Sequence, residues 1–162
     1  MKNTVWFSEV DRKDLASVGG KGGNLGEMIQ KGLPIPNGYI VTAEAYYLFL
    51  EETGIKVQIA EALQGLDAND SARLQSTSKT IKEKIIQAQM PDVVRQDIAT
   101  CYQQLCAGGD LVYVAVRSSA TAEDLPGASF AGQQATFLNI RGEADVIKAV
   151  QNCWASLFEA RA

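Results

Sequence analysis

The chain has 162 residues, 46% of them hydrophobic, and a formal net charge of −4 at pH 7. That is enough apolar material for a core, and the acidic balance argues against nucleic acid or an anionic membrane surface as the main partner, since both require a basic patch. It contains no histidine, which removes Ser-His-Asp and Cys-His catalysis, His-ligated metals and a phosphohistidine carrier from this chain.

In chain order, Trp6 to Val10 is a short apolar start that reads as a strand, and the polar Asp11 to Ser17 reads as a turn. Val18-Gly19-Gly20-Lys21-Gly22-Gly23-Asn24-Leu25-Gly26-Glu27-Met28-Ile29 follows. Leu25, Met28 and Ile29 fall on one helical face, and Gly32 and then Pro34 supply a stop. The glycines therefore lead into a helix N-terminus, where free N–H groups and the dipole favour an anion. Pro34 to Gly38 is a rigid turn and Tyr39-Ile40-Val41 a short strand. Thr42 is a suitable N-cap for a helix with Ala43, Tyr46, Tyr47 and Leu50 on one face. Ile55 to Leu63 is a second helix. Asn69 or Asp70 caps a longer one through Leu74, Ile81 and Ile85, and Pro91 opens another with Val94, Ile98, Cys101, Tyr102 and Leu105 inside. These faces have ordinary core patterns and carry no site chemistry.

Leu111 to Val116 reads as a buried strand and Thr136 to Ile140 as a second. Between them lies a polar, glycine-containing loop longer than the roughly 12–15 residues beyond which unstructured connections are usually functional or disordered. Leu125, Phe130 and several alanines give it apolar anchors, so the expectation is an ordered phosphate lid. After Arg141-Gly142, Glu143 and Asp145 start a helix with Ile147, Val150, Trp154 and Leu157 on its inner face. That helix reaches Ala162 without a stop signal, which reads as a chain cut from something longer. Cys101, Cys106 and Cys153 are odd in number and lack metal-ligand spacing, so buried thiols in a reducing cytoplasm are expected. The N-terminus has no signal-peptide core, and no stretch approaches the length of a membrane span.

Two clusters could carry chemistry. Gly19-Gly20-Lys21-Gly22-Gly23 is neither a P-loop nor the dinucleotide fingerprint. Four glycines allow close backbone approach to a ligand and Lys21 adds a mobile charge. Spacing alone leaves a flexible turn with a solvated lysine equally open. Arg117 closes an apolar strand, at the end where α/β ligands tend to bind, and its guanidinium can fork onto two phosphate oxygens. An ion pair with Glu123 or Asp124 is the plain alternative. Ser118, Ser119 and Thr121 suit an anion or a turn. As nucleophiles the two serines lack a base, since no S-x-x-K follows. Glu123 and Asp124 as a metal pair have no further ligand to support them. Gly127, Gly132 and Gln133 complete the loop, Gly132 allowing backbone contact, and Thr136 places a hydroxyl at the start of the next strand.

Together, Val18–Met28, Gly32-Leu33-Pro34-Ile35-Pro36-Asn37-Gly38-Tyr39, Val116-Arg117-Ser118-Ser119-Ala120-Thr121-Ala122-Glu123-Asp124 and Ser129-Phe130-Ala131-Gly132-Gln133 resemble the N-terminal ATP-binding region of the phosphoenolpyruvate synthase family, which pyruvate phosphate dikinase and rifampicin phosphotransferase share. Ala155-Ser156-Leu157-Phe158 fits the same pattern. The resemblance runs from about Trp6 to the last residue, with the helical middle least distinctive. It implies an α+β fold, the first lobe of an ATP-grasp domain. Residues 1–162 would form this N-terminal lobe, with a helical insert at about 43–107 between mixed α/β segments. It further implies that Lys21 and Arg117 hold ATP phosphates and that Gly132 and Thr136 line the nucleotide site. The family transfers phosphate to a histidine on a swivelling domain and then, in phosphoenolpyruvate synthase, to pyruvate, converting ATP, pyruvate and water into AMP, phosphoenolpyruvate and phosphate. This chain departs from that pattern, having no histidine, no second lobe with Mg2+-binding carboxylates and no barrel. Mg2+ ligands and pyruvate contacts are expected outside it, in a cytoplasmic enzyme whose isolated first lobe is inactive. The alternatives are a rifampicin phosphotransferase fragment and a stand-alone, non-catalytic nucleotide-binding module.

Overall fold

Two short antiparallel pairs of strands frame a block of helices. The computed structural model describes residues 2–67, 69–119 and 135–158. Among these, β1 (Thr4–Trp6) pairs with β2 (Tyr39–Val41), Val5 standing opposite Ile40. The second pair is β3 (Tyr113–Arg117) with β4 (Thr136–Arg141). α1 (Leu15–Gln30) connects β1 to β2; α2 (Ala43–Glu52), α3 (Ile55–Leu63), α4 (Ser71–Gln87) and α5 (Asp92–Cys106) run between the two pairs, and α6 (Glu143–Ala155) follows β4. The mixture is α+β, as the sequence implies.

The start of the chain differs from expectation. The strand is Thr4–Trp6, and Phe7–Glu9 forms a 3-10 turn instead of continuing it. Glu9 accepts from the Trp6 N–H at 2.7 Å, which turns the backbone out of the extended conformation. Asp11 to Ser17 is likewise no simple turn. Asp11 accepts from the Lys13 N–H at 2.7 Å and Asp14 accepts from the Asp11 N–H at 3.0 Å. This reciprocal capping holds a 3-10 turn, Arg12–Asp14, which runs straight into α1 at Leu15, ahead of the glycines. No apolar periodicity marks that first turn, so pattern reading passes over it.

The core is helical. Ala45 and Phe49 of α2, Ile81 and Ile85 of α4, and Val94, Ile98 and Tyr102 of α5 are buried together with Val146, Val150 and Trp154 of α6. The Trp154 ring lies 5.0 Å from Phe49 and 5.6 Å from Tyr46, centroid to centroid. Thr42 caps α2 as expected, and its hydroxyl donates to the Lys2 carbonyl at 2.8 Å, tying the helix start to β1. Two residues expected on inner helix faces point out. Tyr47 is 57% and Leu157 47% exposed. On α2 the inner stripe runs through Ala45 and Phe49, one turn apart, which leaves Tyr47 on the far side. Leu157 lies beyond α6, in a closing 3-10 turn whose tighter winding shifts the face.

The β3–β4 hairpin is pinned to the helices at its base. Tyr102 is fully buried; its hydroxyl donates to the Val112 carbonyl at 2.7 Å and accepts from the Gly142 N–H at 2.8 Å. Arg141 stacks over the Tyr113 ring at 5.2 Å and donates to the Leu111 carbonyl at 3.1 Å. Val114 pairs with Ile140 but Val116 with Phe137, so β4 holds one extra residue between these pairs. Asn139 takes it up at φ 58, a left-handed conformation that asparagine tolerates. The strand expected to be buried from Leu111 to Val116 is instead Tyr113–Arg117 and buried on one face only, because a single pair of strands covers one side: Val114, Val116 and Ile140 pack on the core, and Tyr113, Ala115, Arg117, Thr136 and Leu138 face out.

Three expectations follow from this packing. Gly26 of α1 rests on the 7–10 turn, where a Cβ would run into the Val10 carbonyl oxygen and lie 2.8 Å from the Val10 carbonyl carbon. Backbone cannot yield as a side chain does, so Gly26→Ala should destabilise by about 3 kcal/mol in denaturant titration, the upper end for overpacking. Tyr102→Phe should cost about 1–3 kcal/mol, because it leaves the Val112 carbonyl and Gly142 N–H buried without their partner. Burial pushes the Cys153 thiol up to about 11, with the Lys21 charge pulling weakly the other way. A thiol kept neutral in the fold, but ionising near its usual value of about 8.5 when unfolded, contributes stability that is complete below that value. The contribution is lost as pH climbs towards about 11. Unfolding free energies measured at pH 7 and pH 10 should therefore fall with pH, and Cys153→Ala should flatten that fall.

Candidate functional site

The glycine–lysine motif is a break inside a helix. Gly19 has φ 71 and ψ 174, conformations outside the helical range, and α1 resumes at Gly20. Lys21 is thus the second residue of the resumed helix. The expectation that glycines lead into a helix N-terminus holds for the segment from Gly20 onward, while Leu15–Val18 forms a helical turn before them. Gly19 has room for no side chain: a Cβ there would lie 2.7 Å from the Ser119 carbonyl oxygen. Gly22 is close-packed as well, its Cβ position 3.0 Å from Ile40 and from Val18.

Arg117 is the last residue of β3 and Thr136 the first of β4, and they are direct cross-strand partners on the exposed face. The pairing continues one step further, where the Ser118 N–H donates to the Ala135 carbonyl at 3.0 Å. Two residues from separate motifs, 19 positions apart, are therefore neighbours by register. Gly132 lies outside the described residues, as do Thr121, Glu123, Asp124, Gly127 and Gln133.

Three hydrogen bonds join the two motifs across about a hundred positions. Lys21 Nζ donates to the Ser118 carbonyl at 3.2 Å. Ser119 Oγ donates to the Val18 carbonyl at 2.8 Å and accepts from the Gly22 N–H at 3.3 Å. Lys21, Arg117 and Thr136 are thereby gathered at one end of the hairpin. The serine hydroxyls do other work than expected. Ser118 Oγ donates to the Ala135 carbonyl at 3.4 Å and Ser119 Oγ to Val18, so the single O–H of each already has an acceptor. Both O–H groups are therefore engaged within the protein. The Ser119 link was the part that sequence reasoning missed. Its signal was indirect, in a small hydroxyl residue and a side-chain-free glycine that belong to two motifs.

Beneath the site, Cys153 of α6 approaches the Val116 carbonyl at 4.0 Å, which seats β3 on the helix. Ser17, just before Val18, donates to Glu44 at 2.6 Å. Burial raises the Glu44 carboxyl, but the bonds from Ser17, its own backbone and Thr42 outweigh it and hold the group below the usual range. On the outer side of α1 a cleft of about 420 Å³ is lined by Asp11, Arg12, Lys13, Glu27, Gln30 and Lys31. Glu27 pairs with Arg12 at 2.6 Å and Lys31 at 2.9 Å, exposed ion pairs of small energetic worth. Among the described residues no three His, Cys, Asp or Glu side chains gather as a metal site needs, and no helix is long and apolar enough to cross a membrane.

The comparison with known proteins bears on this geometry. The family described as "Pyruvate phosphate dikinase, AMP/ATP-binding domain" matches residues 15–162. A "Probable phosphoenolpyruvate synthase" of Methanothermobacter thermautotrophicus is 51% identical over 164 residues, covering 100% of this chain and 24% of that protein. One of the same description from Methanocaldococcus jannaschii is 52% identical over 164 residues, covering 100% of this chain and 14% of its own length. The "Phosphoenolpyruvate synthase" of Pyrococcus furiosus is 42% identical over 191 residues, covering 97% and 23%. The chain thus spans about a quarter or less of the length of these relatives. Both glycine–lysine and arginine–serine motifs fall within the matched residues, and the chain belongs to the pyruvate phosphate dikinase AMP/ATP-binding domain family, in the company of the phosphoenolpyruvate synthases.

Proposed function

We propose that this chain is the ATP-binding part of an ATP-dependent phosphotransferase of the phosphoenolpyruvate synthase type. In this reading, residues 1–162 are the first lobe of an ATP-grasp domain and the helices of about 43–107 are its insert. The observation that carries the reading is the hydrogen bond from Lys21 to the Ser118 carbonyl, which brings the lysine of one motif to the residue following Arg117 in the other.

Phosphoryl transfer asks little covalent chemistry of the protein and much positioning and charge stabilisation. Lys21 supplies a compact charge on a flexible stem, and Arg117 a planar fork suited to two phosphate oxygens at once. Thr136, on the same face as Arg117, adds a hydroxyl, and Gly132 offers backbone approach to the nucleotide. ATP carries Mg2+ with it, and the ion's protein ligands are assigned to portions of the polypeptide beyond this segment. The phosphate would pass to a histidine elsewhere and then to pyruvate, giving AMP, phosphoenolpyruvate and phosphate. With no histidine of its own, this chain binds and orients the donor and takes no covalent part. The reading puts the protein in the cytoplasm, with its nucleotide.

The test is pyruvate-dependent AMP formation from ATP by the natural full-length polypeptide. Lys21→Ala and Arg117→Ala should each lower the rate by about 100-fold or more, the usual loss when one charge-stabilising donor is removed. Near-normal rates in both variants would overturn the reading.

A further inference from the structure

We infer that Ser119 is a positioning residue of this nucleotide site, a hydroxyl clasp that fixes the resumed half of α1 against the end of β3 so that Lys21 and Arg117 act as one unit. The inference rests on the ATP-binding reading for its consequence, and on geometry alone for the clasp.

A helix that begins at Gly20 presents first-turn N–H groups without partners inside the helix. The residue placed to cap them is Gly19, which has no side chain and stands at φ 71. Ser119, 97 positions from Gly22, supplies the missing acceptor through its Oγ. In the other direction the same hydroxyl donates to the Val18 carbonyl, on the near side of the break. One oxygen thus uses its donor and an acceptor lone pair to hold both sides of the break. Lys21 lies between these two anchor points and binds the Ser118 carbonyl, so consecutive residues are each gripped by the helix, Ser118 by its carbonyl and Ser119 by its hydroxyl. Arg117 directly precedes this pair in the chain. In the Ser119 link only a one-carbon side chain stands between the backbone and the bonds, so shifting the helix start shifts the strand end. An ammonium group has three donors and the Ser118 carbonyl takes one, which leaves Lys21 free to keep its anchor while it meets a phosphate.

A small, part-buried residue with no positioning role would lower stability without regard to Lys21. A clasp that acts by placing Lys21 should lose its effect once that side chain is gone. The experiment is therefore a double-mutant cycle on the dissociation constant of Mg2+ with a non-hydrolysable ATP analogue, in the natural full-length polypeptide. Ser119→Ala should weaken binding about tenfold in the parent and less than about twofold in the Lys21→Ala background. Equal losses in both backgrounds, or no loss in the parent, would overturn the inference. Should Ser119→Ala fail to fold, Ser119→Cys, which weakens both hydrogen bonds while keeping a side chain there, serves in the same cycle. If Lys21→Ala and Arg117→Ala leave analogue binding unchanged, the ATP reading fails instead. Amide hydrogen exchange at Gly22 without nucleotide then judges the clasp alone. Faster exchange at Gly22 in the Ser119 variant, with α5 amides unchanged, upholds it; exchange at the parent rate refutes it.

Discussion

At position 19 the backbone of α1 passes so close to the end of β3 that a Cβ would lie 2.7 Å from one backbone atom of Ser119 and 2.9 Å from another. The same residue holds φ 71, where a side chain is strained whatever the space around it. The half of the candidate site that α1 supplies follows from that contact. It interrupts the helix, sets the direction in which the helix resumes, and brings Lys21 within reach of the Ser118 carbonyl. Glycine is required here on two counts, conformation and room, and either alone would exclude every other residue type at appreciable cost.

The helical block contributes no chemistry of its own but decides where the site sits. Its buried stripe runs from Phe49 through Ile85 and Ile98 to Trp154, and α6 carries β3 and β4 on its other side. The bonds of Tyr102 fasten the base of the hairpin to α5 and the start of α6. Arg117 and Thr136 stand at the opposite end of the hairpin, so their placement rests on a core many residues away.

Local pattern was a good guide wherever one period ran uninterrupted. The stripe of Val94, Ile98, Cys101 and Tyr102 identifies α5, and Thr42 and Asp70 cap the helices they were expected to cap. Pattern failed where structure depends on capping without periodicity, as in Asp11–Asp14, and where winding tightens, as at Leu157. At the site, the sequence named Lys21, Arg117 and Thr136 as candidates, two of them through strand ends and one through its glycines. It did not show that Arg117 and Thr136 face each other, since register is a property of two strands and not of either. Nor did it show that the serine hydroxyls bond to carbonyls, because Ser118 and Ser119 find those partners on other segments. Long-range pairing of that kind leaves no trace in spacing.

The extra residue in β4 carries a consequence for how the site can vary. Phe137 and Ile140 both turn inward although three positions separate them, which a regular alternating strand forbids. The left-handed Asn139 absorbs the odd step. Side-chain facing in a strand is a matter of parity, and here the parity at Thr136 is corrected by one residue lying between it and the fastened base of the hairpin. Thr136 shares a face with Arg117 because the count from Ile140 comes out right. Chain length over those few positions is therefore as much a determinant of the site as the identity of the threonine, and a change of one in that count would turn the hydroxyl towards the core while leaving the residue itself in the sequence.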